Sequence, residues 1–454
     1  MTYRVLSGLS LLLVLAGCAA GPDHERPATQ APLPDQWTAA TTSEPLAASL
    51  AAAELWWHGF GDAQLNELVD EALAHNHDLQ AAAARVLEAR AQVGGATSAL
   101  LPSVSLSGTA ARSQSSEALS APGAELTNNL FQVSAIAGWE ADLWGRLRRG
   151  RESAVAGLLA SQQDRRAAAQ ALAANVTLTW LQAKELQLQI DLSDRTVASY
   201  EENLRLVEDR YRRGLVSSLD LQLARQNLAA AAANRPALNQ GLVEAKRRLE
   251  ILAGRYPAGT VATTAALPDP LPPVPVGLPS DLLDRRPDVL AAEARLHAAT
   301  ANIGQAKAAL FPRISLTAEG GSKTTELADL LTDPTQAWSL VGNLVLPLIN
   351  RGATQAQIKA AEARAQQSAA AYRSTVLRAL AEVENALDQD RNLTRQEELL
   401  IDSVAQARHS LELAEDRYAR GLDNLLATLA AQRSLNAAES QLLSAQRSRR
   451  AARV

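Results

Sequence analysis

The chain has 454 residues, enough for two or three ordinary domains, and 47% of them are hydrophobic although only 4% are aromatic. Much of the apolar content is alanine, which favours helix and close helix packing but fills little volume, so long slender helices fit better than a compact globule. A formal net charge of −5, from 44 basic and 49 acidic residues with no basic patch interleaved with aromatics, argues against a nucleic-acid partner.

At the N-terminus Arg4 precedes the apolar run "VLSGLSLLLVLA", 5–16, which is too short to span a bilayer and reads as a cleaved targeting segment over 1–17. Leu15-Ala16-Gly17-Cys18 resembles a bacterial lipobox; the alternative is an ordinary signal peptide with an incidental cysteine. Cys18 is the only cysteine, so no internal disulfide forms. The resemblance implies that Cys18 becomes the mature N-terminus and carries a diacylglycerol and an N-acyl chain, a firm hold on a membrane. With Ala19 rather than Asp next, it also implies export to the outer membrane. No later stretch approaches 18 consecutive apolar residues, so a mature chain that crosses a membrane must do so as a barrel.

The remainder reads as one unit written twice. "AAAARVLEARAQVGGATSALLPSVSLSG", 81–108, aligns with "AAEARLHAATANIGQAKAALFPRISLTA", 291–318, and "LVEDRYRRGL", 206–215, with "LAEDRYARGL", 413–422. The expected divisions are a lipidated segment 18–58, a first repeat 59–255, a Pro-rich linker 256–279 and a second repeat 280–454. In each repeat a helix ends at Pro102 or Pro312 and a strand follows, about 102–112 or 312–321. A polar loop leads to a second strand, about 129–143 or 336–348. A proline-free helix comes next, about 146–213 or 351–420, and at 1.5 Å per residue it is roughly 100 Å long. Helices of that length belong to a coiled-coil assembly. Gly214 and Gly421 suit the left-handed turn that ends each one. Ser217 with Asp220 predicts a capping box for the first return helix, and Asp423 an N-cap for the second.

The strands alternate with period two. Val104, Leu106, Gly108 and Ala110 oppose Ser103, Ser105, Ser107 and Thr109; Phe131, Val133, Ala135, Ala137, Trp139 and Leu143 share a face, with Ile136 on the wrong side, as do Trp338, Leu340, Gly342, Leu344 and Leu346. A small sheet over a soluble core also alternates. A polar face of serine and threonine, on segments near ten residues, points instead to a wet lumen and a bilayer-spanning strand. Four strands cannot close a membrane barrel, and lipid tolerates no open edge. Three copies would supply twelve, so a homotrimer is expected.

Candidate functional residues lie at the helical tips. Asp416 and Arg420 stand four apart, Asp423 follows, and Asp209 with Arg213 repeats the pattern in the first half. Ordinary surface ion pairs show the same spacing. Under threefold symmetry the same residues form a ring in which carboxylates repel and arginines latch; Leu413 adds an apolar constriction, and Tyr211 and Tyr418 brace neighbouring helices or pack in the core. Trp139, Trp144 and Trp338 are candidates for a membrane-interface girdle. Arg285-Arg286-Pro287-Asp288 reads as a helix start with proline near N1. There is no phosphate loop, GxSxG or HExxH, and His75 and His77, two apart, diverge on a helix, so neither an enzyme nor a metal site is expected.

Residues 277–316, "GLPSDLLDRRPDVLAAEARLHAATANIGQAKAALFPRISL", with "GWEADLWGRLRR", 138–149, and "DRYARGLDNLLATLAAQRSL", closely resemble outer-membrane factor lipoproteins, the TolC-like exit ducts of tripartite efflux pumps, in their OprM and NodT group. The resemblance implies a mainly α fold with a membrane β-barrel. A homotrimer would join twelve strands above a periplasmic α-tunnel, with an equatorial region from 19–58, 255–279 and the C-terminal end. It implies a passive duct that exports drugs or other toxic small molecules. Its tips would close the periplasmic end, and a periplasmic adaptor would join it to an inner-membrane pump. A periplasmic adaptor lipoprotein is the runner-up, but such proteins carry one helical hairpin and this chain has two; a coiled-coil spacer leaves the strands unexplained.

Overall fold

The computed structural model describes residues 19–27, 34, 36–39, 55–116, 118, 121, 123, 125–272, 279–332, 335–349 and 351–454. The targeting segment and Cys18 lie outside the described residues. The chain divides into two compact units, one built from the N-terminal segment through 30 with 84–164 and 287–375, the other from 31–83, 165–286 and 376–454.

The first unit holds the sheet. Helix α2, His77–Ser98, leads through Pro102 into β1, Ser103–Gln114, which pairs antiparallel with β2, Thr127–Ala141. Helix α5, Pro287–Ala308, leads through Pro312 into β3, Arg313–Thr324, which pairs with β4, Gln336–Val345. Proline ends each helix because it lacks the amide that the next turn needs. β2 also pairs antiparallel with β3, giving the order β1-β2-β3-β4. The two copies of the duplicated hairpin therefore lie side by side.

All four strands end elsewhere than the sequence reading placed them. β1 and β3 run on to Gln114 and Thr324, shortening the polar loops. β2 stops at Ala141; the Leu143 amide donates to the Ala141 carbonyl, which places Leu143 in the turn rather than on the strand face. β4 stops at Val345, ahead of Pro347, which cannot donate to a ladder.

Helix α3, Arg146–Arg212, starts from that turn, where the Asp142 carboxylate accepts from the Leu147 and Arg148 amides. Glu140 at the end of β2 takes two hydrogen bonds from Arg146, at 3.0 and 2.9 Å, and so fastens strand to helix. Where α5 meets helix α6, Arg351–Ala419, the contact is made by Ile303, Ala361 and Ala365 with Ala299 and Ala306. Small side chains let the helices approach closely, as the alanine-rich composition predicts.

The second unit packs helix α1, Ala63–His75, and the preceding Trp57 and Phe60 against α3 and helix α4, Ser218–Leu252. Trp180 and Leu181 are fully buried at its centre. Asp62 caps α1 through the Leu65 amide and holds the buried Lys184 at 3.3 Å. The Lys184 ammonium sits 4.6 Å from the Trp180 ring centre and donates to Thr264. Asn76 separates α1 from α2 by capping Leu79 and reaching the Leu252 carbonyl, so His75 and His77 belong to two helices rather than one.

The Pro-rich stretch is packed through residue 272; 273–278 lie outside the described residues. Arg450 and Arg453 of helix α7, Leu425–Ala451, and the residues after it donate to the carbonyls of Pro268 and Pro272. The Thr38 and Ala39 amides both donate to Glu384 of α6, at 2.9 Å.

Candidate functional site

Two places carry the sequence's functional residues, one in each unit. On the sheet, the register aligns most apolar positions on one face, with Ile136 and Val341 among the exceptions on the other. Val104, Ala137, Ala318 and Leu340 form one row across the four strands, and Leu106, Ala135, Gly320 and Trp338 the next. Trp139, Leu316 and Gly342 form another. This face is bare: Leu106 is 78% exposed, Trp338 83% and Leu340 69%. The other face carries Ser103, Ser105, Ser107, Thr109, Gln132, Ser134, Thr317, Glu319 and Ser339, and Gln132 donates to Glu319 at 2.8 Å. β1 pairs only with β2 and β4 only with β3, so the two outer edges lack a partner among the described residues. Such a surface is stable only where the apolar face meets lipid or protein and the edges meet further strands.

The three tryptophans differ in setting. Trp139, on the apolar face, donates from Nε1 to the Leu100 carbonyl. Trp144 lies in the turn before α3, donates to the Pro312 carbonyl at 2.8 Å and stacks on Phe311 with ring centres 4.8 Å apart. Trp338 lies on the open edge strand, two same-face rows from Trp139.

The tips end in two matched turns. Gly214 and Gly421 take φ of 74° and 72°, a conformation that costs an L side chain roughly 1–2 kcal/mol. The amide of Leu215 donates to the Arg210 carbonyl and that of Gly214 to Tyr211; Leu422 to Arg417 and Gly421 to Tyr418 repeat the pattern. The return helices start differently. Ser217 and Asp220 form the expected capping box. Asn424, not Asp423, caps α7, its side chain accepting from the Ala427 amide. Asp423 instead accepts from the Asn424 amide at 2.9 Å and from Arg417 at 3.3 Å, which together hold its carboxyl below the usual carboxylate range.

Asp416 and Arg420 pair at 2.8 Å and Asp209 and Arg213 at 2.7 Å, all on exposed helix ends. Leu413 is half exposed, one turn before Asp416. Burial, with Glu202 and Glu412 nearby, pushes the Glu415 carboxyl up. Beneath the turns, Tyr200, Val207, Leu221, Leu425 and Leu429 enclose Tyr418, while Tyr211 stays exposed. Sequence reading missed Arg210. Its guanidinium lies over the Tyr418 ring and donates to the last carbonyls of α6, joining the tip of the first repeat to that of the second. The aligned "EDRY" pairs hint at a shared role for Arg210 and Arg417, but only the fold shows that they do different things.

No group of three metal-ligating side chains converges, and no helix is long and apolar enough to cross a membrane, among the described residues.

The family profile described as outer membrane efflux protein matches residues 68–255 and again 278–454, one match per repeat. The chain is 37% identical over 416 residues to the pyoverdine export outer membrane protein OpmQ of Pseudomonas putida, covering 90% of this chain and 87% of that protein. It is 34% identical over 433 residues to the outer membrane protein OprJ of Pseudomonas aeruginosa, covering 94% and 89%. Its fold superposes on the outer-membrane channel OprN with a TM-score of 0.87 at 29% identity, over 96% of this chain and 97% of that one.

Proposed function

The chain belongs to the outer membrane efflux protein family, and from that premise we propose that three copies close into a twelve-stranded pore that serves as the exit duct of a tripartite efflux pump. The observation that carries this is the sheet: an apolar face with no cover and two unpaired edges. Each edge is satisfied when β1 of one copy meets β4 of the next, and the apolar face is then satisfied by lipid. The serine- and threonine-rich face lines the water-filled lumen. Trp139, Trp144 and Trp338 contribute to the membrane-interface girdle. Cys18 carries the lipid that adds a second hold on the outer membrane.

The duct is passive, since nothing in the sequence resembles a nucleotide site. Energy comes from an inner-membrane pump joined through a periplasmic adaptor. The adaptor opens the tips by binding their open arrangement more tightly than the closed one. The tips are the gate: Asp416, Arg420 and Asp423 ring the constriction, Leu413 narrows it, and Gly214 and Gly421 set the turns. Cargo is a range of toxic small molecules, by analogy with relatives named for export or efflux.

The test combines two measurements. Purified full-length protein reconstituted in planar bilayers should give single-channel currents from a trimeric species. A deletion strain should become more susceptible to part of a broad panel of toxic compounds. A monomer without conductance overturns the pore; currents without any change in susceptibility overturn the efflux role.

A further inference from the structure

Residues 19–27 directly follow Cys18 and lie as a strap on α3 and α5 within the sheet-bearing unit. Ala20 is pinned from both sides, its amide donating to the Trp144 carbonyl at 3.0 Å and its carbonyl accepting from Arg149 Nε at 3.4 Å. Gly21, at φ 94°, lies so close to Gly304 of α5 that a Cβ on either would run into the other segment's backbone. At Gly21 the strap is therefore seated by glycine against glycine. Side chains hold it on either side, Arg149 at Ala20 and Asp23, and a ring stack at His24.

The imidazole of His24 stacks face to face on His297 of α5, with ring centres 4.5 Å apart and planes 13° apart. His297 Nε2 faces Glu152 of α3 at 2.9 Å, and His24 Nε2 faces Glu293 of α5 at 3.9 Å. The other charges around the pair are already matched. Arg26 makes two bonds of 2.8 Å to Glu293, and Arg149 bonds Asp23 at 2.6 Å and Glu152 at 2.8 Å. Glu25 is the strap's remaining charged residue. His24 Nδ1 is buried with no hydrogen-bond partner.

We propose that the stacked His24–His297 pair is an acid-released clasp, fastening the strap when neutral and letting it go when His24 takes a proton. The geometry supplies two reasons. A protonated His24 would bury an Nδ1–H with no acceptor in reach, and it would place its charge against the face of a second ring able to carry charge. Burial and His297 lower the His24 proton affinity below its ordinary value of 6.5, against the opposing pull of Glu293 and Glu152. The sign follows from linkage. The released strap binds the proton more tightly than the docked one, so docking is complete above about pH 6.5 and weakens as pH falls, down to the docked pKa. Release frees residues 19–27, about 30 Å of chain when extended. Acid thus gives the anchored pore slack, and the clasp itself operates whether or not Cys18 is acylated.

Hydrogen–deuterium exchange on the full-length assembled protein, corrected for intrinsic exchange chemistry, tests this at pH 7.5 and 5.0. Protection of the 19–27 amides should fall by about tenfold for each unit separating the docked and released pKa. The strand 127–141 serves as the control and should hold its protection. His24→Phe keeps a stacking ring but cannot be protonated, and its strap should be equally protected at both pH values. Should that variant fail to assemble, His24→Gln takes its place. Wild-type protection that is flat between the two pH values overturns the clasp, as does a parallel loss in the control strand or in the variant.

Discussion

The guanidinium carbon of Arg210 lies 4.4 Å from the centre of the Tyr418 ring, and its terminal nitrogens donate to the carbonyls of Tyr418 and Ala419 at 3.0 and 2.9 Å. A residue of the first repeat thus completes the C-terminus of the second repeat's long helix, where a cation complements the helix dipole. Its duplicate, Arg417, turns to Asp423 of its own turn instead. The duplication supplied two identical arginines, and the fold gave them one lock each.

Arg210→Ala should loosen the tip and leave the pore assembled. The lost cap and ring contact are together worth ~1–2 kcal/mol, enough to raise the open fraction severalfold. Resting single-channel conductance should rise, while the trimer seen in mild detergent stays intact. Arg210→Lys, which keeps the charge without the planar fork, should fall between the two.

Asp416→Ala combined with Asp423→Ala removes the proposed ring of carboxylates. The residues are exposed, so the melting temperature should hold; the change belongs in the electrical record, as higher leak or weaker block by divalent cations. Unchanged conductance with an unchanged cation response would remove these residues from the gate and leave the duct standing.

Leu340→Arg and Ser339→Arg put the same charge on opposite faces of one strand. At the lipid face the cost is ~2–4 kcal/mol near the bilayer midplane, whereas a wet lumen accommodates it. Leu340→Arg should sharply lower the yield of trimer in the outer membrane; Ser339→Arg should assemble and alter ion selectivity. Equal yields would contradict the assignment of faces.

The phase of these strands was legible from the chain because serine and threonine alternate with apolar residues and the register is then forced. The long helices and their glycine turns were legible because the second repeat repeats the first. The tip chemistry was not. Asp423 and Asn424 are adjacent, both are good caps, and only the turn geometry selects Asn424 and frees Asp423 for Arg417. Arg210 was hidden for another reason: its hydrogen-bond partners lie 208 and 209 positions away and are backbone carbonyls, which leave no trace in residue identity.

Gly321→Ala tests how tightly β3 and β2 are joined. A Cβ at Gly321 would meet the Val133 carbonyl and the Ser134 backbone, so even a methyl group must push the strands apart. We expect a loss of ~1–3 kcal/mol and a lower dissociation temperature of the trimer on denaturing gels. Gly320→Ala, where nothing lies within reach of the added carbon, serves as the neutral comparison.

Glu250 predicts a pH dependence in the helical unit. Burial pushes its carboxyl up, but hydrogen bonds from the Gly259 and Thr260 amides, from the Thr260 hydroxyl and from Val261 outweigh it and hold the group below its ordinary value of 4.5. The stabilisation is therefore complete above about pH 4.5 and is lost as pH falls through the folded pKa. Glu250→Gln should lower the melting temperature at pH 7 and flatten its decline in acid.

The two bare edges of the sheet also govern how the protein is made. A lone subunit has no arrangement in which its strands can sit in a bilayer, so entry into the membrane and joining of partners must be one event, not two in succession. A subunit defective in a single outer strand then spoils every ring it joins, and producing it beside normal copies should depress export in cells that still make the intact chain.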